Sequence, residues 1–143
     1  MKNIIVFFAA LLLFSCSTTK SVVENTLYEV LSFSNDGGAN IKFYEILNEP
    51  NEIKMLFSDP NLKKKINTDD IQKCNFIILN MGPLPEGNYN IIIDKVEETE
   101  SNIILTIKEL KPSTVEENPS IQPNYVYPYS VVKIKSKKPI IIK

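Results

Sequence analysis

The sequence predicts an α+β fold dominated by antiparallel β-sheet, arranged as a sandwich or partial barrel with one short helix over an end. Three observations predict it. Most apolar residues recur at alternate positions or in short β-branched runs, which is how strands are written. One stretch, around Ile53, has helical spacing instead. The strings Asn35-Asp36-Gly37-Gly38 and Glu98-Thr99-Glu100-Ser101 punctuate apolar runs that read as hairpin arms.

Residues 1–15 read as a signal peptide. Lys2 supplies the positive start, and the apolar run 4–14 is shorter than the roughly 20 residues a spanning helix needs. The string Leu13-Phe14-Ser15-Cys16 resembles a bacterial lipobox, with an aliphatic residue three positions before the cysteine and a small one directly before it. That resemblance implies that Cys16 becomes the first mature residue, carrying a diacylglyceryl thioether and an amide-linked palmitate-type chain. Two or three chains anchor firmly where one binds only marginally. Ser17, in place of an aspartate retention signal, implies the outer membrane of the cell envelope. An uncleaved signal anchor and an ordinary secretory peptide are the competing readings. Residues 16–26 are then a lipidated tether, and 27–143 a single β-rich domain.

Within that domain, "TLYEVLSFS" alternates, with Leu27, Glu29, Leu31 and Phe33 opposed to Tyr28, Val30 and Ser32. The Asn-Asp-Gly-Gly turn then predicts "NIKFYEIL" as its partner strand, because glycine tolerates positive φ. In "NEPNEIKMLFSDP", Ile53, Leu56 and Phe57 form one helical stripe. Pro50 suits its first turn and Asp59-Pro60 ends it. "NLKKKINTDD" reads as solvated connection. "CNFIILNMG" is a continuous apolar run that suits only a buried strand. "YNIIIDKVEE" and "NIILTIKEL" should form a hairpin, with Tyr89, Ile91 and Ile93 on one face of the first arm. Ile103, Leu105 and Ile107 share a face of the second. Gly87 and Asn88 are the structural turn that starts the hairpin, with Gly87 expected at positive φ. Residues 111–128 hold four prolines and little periodicity, which predicts a long loop of functional character. "YSVVKIK" and "PIIIK" close the chain as strands.

Composition excludes several function classes. The formal charge of −1 includes Lys2, so the mature chain lacks the basic footprint of a nucleic-acid binder. No histidine is present, which removes the commonest general base and metal ligand. Arginine is absent too, so bidentate recognition of phosphate or carboxylate is unavailable. With Cys16 acylated, Cys74 has no partner in the chain and reads as a buried, inert thiol. The acidic group Glu97, Glu98 and Glu100 sits at a hairpin tip and reads as solvated, with too few converging oxygens for calcium. No cofactor and no metal site is expected.

Two strings carry a family resemblance: "MGPLPEGNYNIIIDKVEETESNIILTIKELKPS" and "YPYSVVKIK". Together they resemble the C-terminal domain of PrcB-type protease stability complex proteins. That family's pattern is a strand, a glycine turn before Gly-Gly-Tyr, a hairpin, a proline-opened loop and a Pro-Tyr-x-x-Val-Lys-Ile strand. The chain departs from it at Asn88, where the family has a second glycine; asparagine tolerates the left-handed region better than most residues. The resemblance covers about half of the mature chain. It implies a lipid-anchored or periplasmic component that binds and stabilises a partner within a protease assembly. It implies no catalytic residues.

Enzyme-like strings are present but weak. Ser130-Val131-Val132-Lys133 matches S-x-x-K, whose serine and lysine meet on a helix. On a strand, positions three apart point to opposite faces. Asp69-Asp70 sits in a lysine-rich loop, and Asp94 with Glu97 has opposite parity unless a bulge intervenes; neither shows a reason for a shifted pKa. An enzyme is therefore not expected. The better candidates are Tyr125 and Tyr127, alternating with Tyr129, because tyrosines offer large contact area with a polar tip. They are the expected partner-binding residues. A peptide-binding or protease-inhibitor-like module is the alternative class, and packing of these rings against the chain's own core is the alternative role.

Overall fold

The computed structural model describes residues 27–113 and 124–143. Among these, 47% lie in strands and 16% in helices, so the predicted class holds. The sheets are mostly antiparallel and do not close into a barrel.

The chain enters through β1 (Tyr28–Ser34) and β2 (Lys42–Leu47) and then crosses a helical layer. This layer comprises α1 (Pro50–Met55), a 3-10 turn (Leu56–Ser58), α2 (Pro60–Lys63) and α3 (Asp70–Lys73). Then come β3 (Asn75–Met81), β4 (Leu84–Pro85), β5 (Asn90–Glu98), β6 (Ile103–Leu110), β7 (Tyr125–Val126), β8 (Tyr129–Ile134) and β9 (Ile140–Ile142). Three sheets result: β1-β8-β3-β2, β5-β6-β9, and the short ribbon β4-β7.

The central pair β3–β8 is where the apolar runs lie. Ile77, Leu79, Val132 and Ile134 point to one side and join Ile91, Ile93, Ile103 and Leu105 of the smaller sheet in one buried cluster. Phe76 and Val131 point to the other side, where Ile53, Leu56, Leu62, Ile66 and Ile71 cover them. Strand period 2 thus feeds two cores from the same two strands. Burying a side chain such as Phe76 contributes about 1.5–3 kcal/mol.

Three expectations are corrected. β1 and β2 do not form a hairpin: they occupy opposite edges of the four-stranded sheet, β1 on β8 and β2 on β3. The apolar face of β8 needs neighbours on both sides, and this long-range demand overrides a local turn signal. The single helix is three short ones and a 3-10 turn, and they lie over one face of the sheet. Asp59-Pro60 ends the first turn of chain and begins the next, since the Asp59 carboxylate accepts from Asn61 N at 2.7 Å. "NLKKKINTDD" is therefore not plain solvated connection; Leu62 and Ile66 are buried in it.

The β5–β6 hairpin forms as expected, with a bulge at Asp94 that turns Val96 inward. β9 adds to β6 in parallel. Across the two sheets, the Tyr44 hydroxyl donates to Glu109 Oε1 at 2.6 Å, and Lys42 reaches the same oxygen at 2.5 Å. Burial and that carboxylate hold the Tyr44 phenol well above its usual range.

Candidate functional site

The candidate site is the loop cluster at one end of the large sheet, and two asparagines build it. Residues 35–41, which include the Asn35-Asp36-Gly37-Gly38 string expected as a hairpin turn, cross this end instead. Asn80, buried at the end of β3, accepts from Ala39 N at 3.0 Å and donates to Ala39 O at 3.0 Å. It also donates to Ile41 O. Asn35 performs the same service for the approach to β5: its Nδ2 donates to Gly87 O at 2.8 Å and its Oδ1 accepts from Tyr89 N at 3.0 Å. Each side-chain amide supplies a donor and an acceptor, so each closes a loop that has no regular ladder. The signal for Asn80 in the sequence is a polar residue inside the apolar run "NFIILNMG", where a side chain that is buried needs a partner.

On this frame sits the ribbon carrying the tyrosines. Glu86 N donates to Asn124 O at 2.9 Å, and the Asn124 amide reaches Glu86 Oε2 at 3.2 Å. Tyr127 is engaged through its backbone: its N–H donates to Asp36 Oδ1 and its carbonyl accepts from Gly38 N at 2.8 Å. Gly38 is required by closeness, because an added Cβ would lie 2.6 Å from Tyr127 O. Tyr125 is 52% exposed, Tyr127 is half-buried, and Tyr129 is half-buried against the helix-side core. The three do not share one continuous strand, since Tyr127 and Pro128 interrupt between β7 and β8. Ile41, 63% exposed, leaves the same end of the sheet.

Gly87 is corrected in one respect. It does not have positive φ; the glycines that do are Gly37 and Gly82. Its constraint is crowding, for a Cβ would stand 3.1 Å from both Pro112 Cγ and Tyr89 Cε2. Asn88 has no positive φ either, so the missing second glycine demands no left-handed residue there.

The enzyme-like strings separate. Ser130 Oγ donates to Ser32 O at 3.2 Å, while Lys133 turns to the helix side and pairs with Glu29 at 3.0 Å and Asp70 at 3.4 Å. Asp69 is exposed and pairs with Lys73, and Asp94 and Glu97 pair with Lys108 and Lys95. Asp70, however, does have a shifted pKa, contrary to expectation. Burial would raise it, but the Asn67 N–H and the Lys133 charge outweigh burial and lower it. Burial tends to lower Lys133, yet Glu29 and Asp70 raise it on balance. Burial first, and Asp70 next, push the Cys74 thiol up, which suits an inert group. No group of three or more carboxylates and thiols that could hold a metal ion occurs among the described residues. No helix among them is long and apolar enough to cross a membrane. Cys16, the tether and residues 114–123 lie outside the described residues.

The architecture is that of a β-rich module whose exposed rings and aliphatic groups stand on loops and edges around a closed core. Residues 75–135, from β3 through β8, match the family model described as PrcB C-terminal, and this stretch is a PrcB-type C-terminal domain. No curated protein and no solved structure matches the chain. The matched segment contains Asn80, Gly87, Asn88, Tyr125 and Tyr127, while Asn35 and Gly38 clamp it from outside.

Proposed function

We propose that this protein is a lipid-anchored component of the cell envelope, held at the outer membrane through Cys16, that binds and stabilises a partner within a protease assembly. The observation that carries the role is the PrcB-type domain over residues 75–135. The family is a protease-associated stability component and is not known as a catalytic domain. The contact surface in this reading is the loop cluster bearing Tyr125 and Tyr127. It is held by the short β4–β7 pairing, by the Gly38 N–H on the Tyr127 carbonyl and by the Asp36 carboxylate on the Tyr127 N–H, and it offers an exposed ring on a fixed backbone. A pre-set loop loses little entropy on binding, which leaves more of the contact energy as affinity.

Crosslinking in native membranes, followed by recovery and mass spectrometry, tests this reading. The wild-type chain should recover a component of a protease assembly, and Tyr125→Ala should recover much less of it. Recovery of no such component by the wild type would remove the functional reading. Equal recovery by the variant would move the contact surface elsewhere.

A further inference from the structure

β1 forms one edge of the large sheet. β1 is the first strand of β1-β8-β3-β2, so β8 is its one ladder neighbour among the described residues. Lys135 N donates to Leu27 O at 2.8 Å, and the register continues through Glu29 opposite Lys133. Antiparallel bonding alternates. The backbone groups of Tyr28 and Val30 therefore point outward, and so do those of Phe33 after the bulge between Val30 and Ser32.

The side chains add to this. Val30 and Phe33 lie opposite Val132 and Ser130, on the face that elsewhere forms the core between the sheets. They remain 48% and 42% exposed. The inter-sheet core reaches Leu27 and Tyr28 at the start of β1 but leaves Val30 and Phe33 exposed, beside outward amides with no ladder partner among the described residues.

Charge selects the occupant. Lys65 Nζ lies 2.5 Å from Leu31 O at the bulge, and the ammonium keeps two further donors. Lys63, Lys64 and Lys65 have no carboxylate within ion-pair distance among the described residues. A bulge and a lysine ordinarily blunt an edge against indiscriminate pairing. Here they leave pairing open to a strand that brings its own carboxylate.

We propose that the β1 edge binds an extended segment of a partner protein by strand addition. That segment carries alternate apolar side chains, which extend the core over Val30 and Phe33, and an acidic residue that meets Lys65. Main-chain bonds supply affinity and the alternate side chains supply selectivity. The proposal rests on the reading of the protein as a binding module, but it uses a surface separate from Tyr125 and Tyr127.

The test uses the full chain in detergent and a fluorescent synthetic peptide of alternating valine and threonine ended by two glutamates. Binding should be saturable and should slow amide exchange at Val30 and Phe33. N-methylation of alternate peptide nitrogens should weaken it about tenfold or more, as should Val30→Pro, which removes an outward N–H. Lys65→Gln should weaken the glutamate peptide and leave its glutamine counterpart unchanged. Tyr125→Ala should bind the peptide as the wild type does, so that failure here and failure of the loop-cluster surface are told apart. Equal binding of the N-methylated peptide would overturn the proposal. So would protection of the outward Val30 and Phe33 amides in the free chain, whether constant (the chain's own segment covers the edge) or rising with concentration (a second copy does).

Discussion

Asn80 grips Ala39 by both ends of one peptide pair: its Oδ1 takes the Ala39 N–H and its Nδ2 gives to the Ala39 carbonyl, each at 3.0 Å. This single side chain closes the segment that links the two edge strands. Asn80→Ala should leave the Ala39 N–H and the Ala39 and Ile41 carbonyls without their side-chain partner at a partly buried site. We expect a loss of about 1–2 kcal/mol in urea unfolding, toward the lower end of the cost of stranded polar groups because the site is only partly buried. An unchanged midpoint would mean that water replaces the amide.

Gly38 and Gly87 should respond differently to alanine. A Cβ on Gly38 meets the Asn80 amide and the Tyr127 carbonyl, neither of which can yield without breaking the clamp. Gly38→Ala should cost about 1–3 kcal/mol, the range for forced overpacking. Gly87 has ordinary φ and side-chain neighbours at 3.1 Å that can shift. Gly87→Ala should cost less than Gly38→Ala in the same thermal assay.

The Asp70–Lys133 pair gives a pH signature. Asp70 has its pKa lowered below 3.8 in the folded chain, so its contribution is present above that value. It fades as pH falls through the folded pKa. Asp70→Asn should therefore be less stable than wild type at neutral pH, with the gap closing in acid. The Lys133 contribution runs the other way: its raised pKa keeps it present until pH climbs above 10.5. Removing one partner of such a largely buried pair costs about 3 kcal/mol, and Lys133→Ala should show it at pH 7. A gap that stayed constant from pH 7 to pH 2 would contradict this assignment.

Anchoring rests on one thiol in this reading. Cys16→Ser should abolish labelling by a fatty-acid analogue and release the protein from washed membranes. Persistent membrane association without label would make the run 4–14 a true anchor.

The central strand, the β5–β6 hairpin and the first helical turns were legible because each buries a periodic face within a short stretch of chain. The position of β1 was not. Asn35-Asp36-Gly37-Gly38 is strong local turn chemistry, but the choice of β8 as partner is made by burial of Val131 and Val132, almost a hundred positions away. α2 and α3 were missed because four residues cannot display a helical stripe; Leu62 and Ile71 look like isolated apolar residues among lysines and aspartates. The site was half legible. Tyr125 and Tyr127 stood out by type and spacing, whereas Asn35 and Asn80 act through contacts some 40 to 50 residues distant, which no local pattern records.

The most direct measurement compares stability and complex formation in Tyr125→Ala/Tyr127→Ala. Tyr125 is largely exposed and Tyr127 holds its neighbours through the backbone, which alanine retains. Stability should therefore fall by much less than the roughly 3–5 kcal/mol of a lost core aromatic. Complex formation with the recovered protease-assembly component should weaken by more than about 1 kcal/mol, as for an interface anchor. Lost stability with unaltered residual binding would contradict the account.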